Sequence, residues 1–182
     1  MDYCDWSSDV CSSDLRLLEI HNTTGLDLEQ AGVKIVLLDE QGETVAEAQE
    51  YVQIELLRPG GRAPFAVRFT NPPQSFASYL AVPWQGVQGY IGNYYLDLSV
   101  SDLQGKGERY AVYTVSGSVS NTGPEDTVDV LVTVTLYDAL GRVVGLRREA
   151  PEHNVIPRGG RTTFTMDLTP AGGPVADFRV DA

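Results

Sequence analysis

The chain repeats itself at a constant offset of 99 positions, and no other feature constrains its fold as much. Leu18-Glu-Ile-His-Asn22-Thr23 lies 99 positions before Gly117-Ser-Val-Ser-Asn121-Thr122. In the same register, Ile35-Val-Leu-Leu-Asp39-Glu-Gln-Gly42 faces Val134-Thr-Leu-Tyr-Asp138-Ala-Leu-Gly141. Gly60-Gly-Arg62 with Phe65 faces Gly159-Gly-Arg161 with Phe164, and Tyr79 and Ala81 face Phe178 and Val180. Four ungapped blocks in one register predict two copies of one domain. The Gly-rich stretch Val87–Gly92 marks the boundary, giving copies at 16–89 and 90–182.

The period inside each copy is two, the signature of a strand with one face inward. Val128, Val130, Val132, Val134 and Leu136 form one such row, and Ala31, Val33, Ile35 and Leu37 are its earlier counterpart. Phe65, Val67 and Phe69 match Phe164, Met166 and Leu168, while Tyr113, Val115 and Val119 make a further row. Asp39 with Gly42 and Asp138 with Gly141 fit turns in which the carboxylate bonds forward to backbone N–H groups and glycine takes a left-handed φ. Gly60 and Gly159 sit in turns of the same kind. Glu43–Glu55 has some helical propensity, but Pro151 in its counterpart argues for a strand with an irregular end. Short strands, frequent turns and no helical period predict an all-β chain of two tandem β-sandwiches. A strand at Tyr94–Asp102 belongs to the second copy. Its equivalent in the first would precede Leu15, so the first copy is expected to be truncated at its N-terminus.

Residues 1–15 stand outside the repeat. They hold both cysteines, and Asp5–Leu15 resembles the translation of a sequencing adapter, codon for codon. This segment lacks the basic and apolar regions of a signal peptide, so it is read as an adapter-derived artefact. Residues 16–182 contain no cysteine, which silences the usual clue to redox compartment.

The whole chain has 13 Lys and Arg against 25 Asp and Glu, a formal charge of −12. That balance argues against nucleic acid as a partner, because phosphates need clustered cations. No apolar run approaches the length of about 18 residues that a membrane span requires.

The block Val134-Thr-Leu-Tyr-Asp138, followed by Gly141, Ile156-Pro-Arg-Gly159 and Phe164, resembles the FxLYD domain family. The motif's Phe is Val134 here and Ile35 in the first copy, and its Tyr is Tyr137 but Leu38 in the first. The resemblance implies immunoglobulin-like sandwiches of bacterial and archaeal envelope proteins, with an extracytoplasmic or cell-surface location. It implies no catalytic residue and no cofactor.

Candidate sites are few. His21 and His153 are not equivalent under the offset and show no metal-ligand spacing. There is no Gly-x-Ser-x-Gly elbow, and Gly105-Lys-Gly107 lacks the spacing of a phosphate loop. Glu125, Asp126 and Asp129 cluster in an inter-strand loop and offer oxygen ligands for calcium, against the simpler reading of a solvated turn. Trp84, Tyr90, Tyr94 and Tyr95 concentrate aromatic rings near the boundary, as an interaction surface or as filling at strand ends. The expectation is a non-catalytic structural or protein-interaction module. The alternatives are a glycan- or ligand-binding module using those aromatics, or the accessory domain of an enzyme whose catalytic part lies upstream.

Overall fold

The computed structural model describes residues 15–107, 111–171 and 173–182. The adapter-like segment, with Cys4, Trp6 and Cys11, lies outside the described residues apart from Leu15. The described chain is all-β, with antiparallel sheets packed as sandwiches. Its first strands are β1 (Leu15–His21), β2 (Leu28–Leu38), β3 (Thr44–Tyr51), β4 (Leu56–Leu57), β5 (Arg62–Arg68) and β6 (Ser78–Gln88). A single 3-10 turn at Ile91–Asn93 follows, and then β7 (Leu98–Gly107), β8 (Tyr113–Asn121), β9 (Val132–Tyr137), β10 (Val143–Glu149), β11 (Arg161–Leu168) and β12 (Asp177–Asp181).

Two hydrophobic clusters organise these strands. In the first, β1 pairs with β5, and β2 lies between β3 and β6 with β4 at one end. Ala31, Val33, Ile35 and Leu37 meet Phe65, Val67 and Phe69 between the sheets. In the second, β8 lies between β7 and β11, and β9 lies between β10 and β12. Val132, Val134 and Leu136 meet Val115, Val119, Phe164, Met166 and Leu168. Burying each large aliphatic or aromatic side chain contributes about 1.5–3 kcal/mol, so these rows supply most of the drive to pack.

The register of pairing repeats at the sequence offset. Leu18 faces Phe65 as Gly117 faces Phe164, Leu37 faces Ala46 as Leu136 faces Gly145, and Tyr79 faces Leu37 as Phe178 faces Leu136. The loops repeat too. Asn22 Nδ2 donates to the carbonyls of Leu26 and Leu57, and Asn121 Nδ2 donates to those of Glu125 and Ile156. Asp39 Oδ1 accepts from the N–H groups of Gln41 and Glu43, as Asp138 Oδ1 does from Leu140 and Arg142. Gly42, Gly60, Gly141 and Gly159 have φ between 69° and 82°, the left-handed region that a Cβ disfavours.

Three details depart from the sequence expectation. Val128 is 63% exposed rather than inward, because Asp129 takes φ 54° and rotates the chain before Val130 enters the core. Gln30 repeats that turn at φ 50°. Tyr94 and Tyr95 precede the strand expected to carry them, since β7 begins at Leu98. Thr133 and Thr135, which alternate with the core row of β9, are buried as well. Their cover comes from the other cluster.

Candidate functional site

The two cores meet where β9 and β12 turn their outer side chains toward β1 and β5. On β1, Leu18 and Ile20 pack inward, so Glu19 points outward. Its Oε1 accepts from the Tyr137 hydroxyl at 2.8 Å and from Arg179 Nη1 at 2.7 Å. Arg179 also reaches Asp181 Oδ2 at 2.9 Å and the Arg62 carbonyl at 3.1 Å. Beside this group, Thr133 Oγ1 donates to the Gln53 carbonyl and Arg148 pairs with Glu55. Burial, together with the hydrogen bond to Glu19, pushes the Tyr137 hydroxyl well above its ordinary pKa. Burial likewise raises Asp181, against the opposing pull of Arg179. For Arg179, burial lowers the pKa, but Asp181, Tyr137 and Glu19 together outweigh it and leave the guanidinium firmly charged. The arrangement positions one body on the other; it contains no activated nucleophile beside a base. Thr135 is fully buried here, and its hydroxyl has no hydrogen-bond partner among the described residues.

Next to this seam lies a cleft of about 450 Å³, bordered by Glu55, Tyr94, Asp126, Asp129, Arg148 and Asp181. Its one arginine is held by Glu55. Partial burial and the nearby Glu29 and Glu55 carboxylates raise the pKa of Tyr94, so its hydroxyl stays protonated. The loop of the calcium candidates borders this cleft. Glu125 contributes its backbone carbonyl, which takes Asn121 Nδ2 and the Tyr95 hydroxyl. Asp126 Oδ1 accepts the Arg158 N–H at 2.8 Å, and Asp129 occupies the left-handed turn. Among the described residues, no group of three or more His, Cys, Asp and Glu side chains is gathered to hold a metal ion. The histidines serve the loops: His21 Nε2 lies 3.0 Å from the Gly60 carbonyl, and the His153 N–H donates to Thr162.

The four boundary aromatics divide among different tasks. The Tyr95 hydroxyl sits within hydrogen-bond distance of Asn121 Oδ1 (2.6 Å) and the Glu125 carbonyl (2.8 Å), bracing the second core's loop. Tyr94 borders the cleft. Tyr90 is 68% exposed on the linker, and its N–H donates to Glu29 Oε1. Trp84 lies on the outer face of the β3–β2–β6 sheet, over Gly32, where a Cβ would come within 2.7 Å of the indole. Its ring centroid is 5.4 Å from that of Tyr51, with the planes tilted by 54°. Leu80, Val82 and Val45 are exposed on the same face. The sequence signal for this patch was the alternation itself, since Leu80, Val82 and Trp84 share one side of β6.

No protein-family model matches the chain, and no curated protein matches it.

Proposed function

We propose that the chain is a non-catalytic structural or protein-interaction module of a prokaryotic cell-envelope protein, made of two immunoglobulin-like sandwiches of the FxLYD kind and working outside the cytoplasm. One observation carries the reading: the asparagines and turn aspartates that the repeats share are consumed in holding loops. Asn22 and Asn121 tie matching loops to β4 and to its counterpart Ile156, and Asp39 and Asp138 close matching hairpins. The polar residues that differ between the repeats, such as Glu19 and Arg179, join one body to the other. Chemistry retained through a duplication would appear as a matched polar set with unspent hydrogen-bonding capacity.

The Trp84–Tyr51 pair supports a second reading, a glycan- or ligand-binding module, because exposed aromatic rings suit the apolar faces of sugars. A binding screen of the purified chain against immobilised polysaccharides separates the two. The structural reading expects no saturable binding. Saturable binding that disappears in Trp84→Ala would replace it with the glycan reading.

A further inference from the structure

The two repeats differ at one sheet edge. In the second, β8 is paired on both sides, with β11 and with β7. Its equivalent β1 is paired with β5 alone among the described residues. The bonds at the strand ends show which way the backbone groups turn. The Asn121 N–H donates to Gly160 on the β11 side, and the Thr122 N–H donates to Asp97 on the β7 side. The Asn22 N–H donates to Gly61 on the β5 side, so the backbone groups of Ile20 and Leu18 turn toward β5 as well. Those of Glu19 and His21, one residue out of phase, turn toward the edge that β7 fills in the second repeat.

The cores record the same difference. Val119 of β8 is fully buried, with Val100 of β7 opposite it and packed on the same core. Ile20, at the matching position, is only partly buried. Two side chains show what an added strand has to bring. Leu103 of β7 lies over Gly117, where a Cβ would come within 2.7 Å of it. The first repeat carries Leu18 there, so the residue of an added strand that meets it has to be small. The Tyr95 hydroxyl, ahead of β7, lies 2.6 Å from Asn121 Oδ1, and Thr24 Oγ1 lies 2.6 Å from Asn22 Oδ1. The first repeat thus braces its own loop. What it lacks is a strand backbone with an apolar side chain opposite Ile20.

We propose that the edge of β1 binds an extended segment of another polypeptide, added antiparallel in the register that β7 keeps with β8. The segment carries a Val- or Leu-sized residue opposite Ile20 and a small residue where β7 has Leu103. Unpaired edge groups supply the affinity of such an addition, and the alternate side chains supply its selectivity. The proposal rests on the reading of an interaction module, and gives that module a docking edge and a partner of stated chemistry.

The probe is a fluorescently labelled peptide of residues 97–107 carrying Leu103→Ala, titrated into the intact chain. Saturable binding is expected, and the peptide that retains Leu103 should bind more weakly. Ser99 pairs with Ser120 through groups that face β8, whereas the N–H of Val100 turns away. N-methylation at Ser99 should therefore weaken binding at least about tenfold, and N-methylation at Val100 should leave it unchanged. Hydrogen exchange locates the bound peptide: the N–H groups of Glu19 and His21 should exchange faster than that of Ile20 in the free chain, and slow on binding. Absence of saturable binding, equal effects of the two N-methyl groups, or no loss on restoring Leu103 would each overturn the proposal. So would Glu19 and His21 amides that are already protected in the free chain, or that gain no protection with the peptide. None of those results touches the broader reading, which the polysaccharide screen decides.

Discussion

Arg179 Nη1 lies 2.7 Å from Glu19 Oε1, although 160 positions separate the two residues. Both side chains are largely buried, at 28% and 14% accessibility, so the pair holds its geometry. Glu19→Ala leaves the Tyr137 hydroxyl and part of the Arg179 guanidinium without an acceptor. Removing one partner of such a group costs about 1–3 kcal/mol. The expected outcome is that urea unfolding of Glu19→Ala separates into two transitions, one per core, where the unaltered chain shows more cooperative loss. A single unshifted transition would count against the seam as a coupling device.

Thr135 gives the opposite sign. Its hydroxyl is buried without a partner among the described residues, and an unsatisfied buried hydroxyl costs about 1–3 kcal/mol. Thr135→Val keeps the shape and suits a strand. Thermal unfolding should show a stabilised protein, by about 1 kcal/mol after packing changes. A lower melting temperature would mean that the hydroxyl is satisfied in solution.

Asp138 sets a pH dependence. Burial pushes its pKa up, but hydrogen bonds from the Arg142 backbone and guanidinium and from the Leu140 N–H outweigh that and hold it below the ordinary value. A carboxylate whose folded pKa lies below its unfolded value of about 3.9 stabilises the fold above that pH, and the contribution fades as pH falls through the folded value. Asp138→Asn should therefore be less stable than the unaltered chain at neutral pH, by about 1–3 kcal/mol. The gap should narrow below about pH 4. A constant gap across the acid range would sink the assignment.

Gln30 and Asp129 hold matching left-handed backbone at φ 50° and 54°. A non-glycine residue there costs about 1–2 kcal/mol, offset in part by the extra freedom that glycine loses on folding, about 0.5–1 kcal/mol. Asp129→Gly should thus stabilise by up to about 1 kcal/mol, while Gly141→Ala, at φ 75°, should destabilise by a similar amount. Equal effects of one sign in chemical denaturation would refute the backbone argument.

The same two residues explain part of what the sequence concealed. Alternation placed Val130, Val132, Val134 and Leu136 inward correctly, because period two tracks the pleat as long as the backbone stays extended. It failed at Val128, one residue before the left-handed Asp129, since a single rotated residue shifts the phase of everything before it. The turn aspartates and glycines were legible because their roles are local. Thr133 and Thr135 were not. Alternation identifies the two faces of a strand but carries no information on whether water or another sheet covers the second one. The seam left no trace in the repeat: Glu19 against Ser118 and Arg179 against Leu80 are mismatches, but so are most positions outside the shared turns and core rows. The aromatic cluster was legible as composition, and its division between Trp84 on a sheet face and Tyr95 inside a loop depends on contacts far apart in the chain.

The segment between β6 and β7 is caught at both ends: the Tyr90 N–H on Glu29 of the first repeat, and the Tyr95 hydroxyl on Asn121 of the second. The Thr122 N–H adds a bond to the Asp97 carbonyl, and the 3-10 turn at Ile91–Asn93 fills the interval. Few torsions remain free, so the connection behaves as a strut rather than a hinge. Through Tyr95 the segment is tied to Asn121, whose amide also clasps the loops before β9 and β11. Load passed through Tyr95 would be shared by hydrogen bonds acting in parallel within those loops, rather than falling on a single contact.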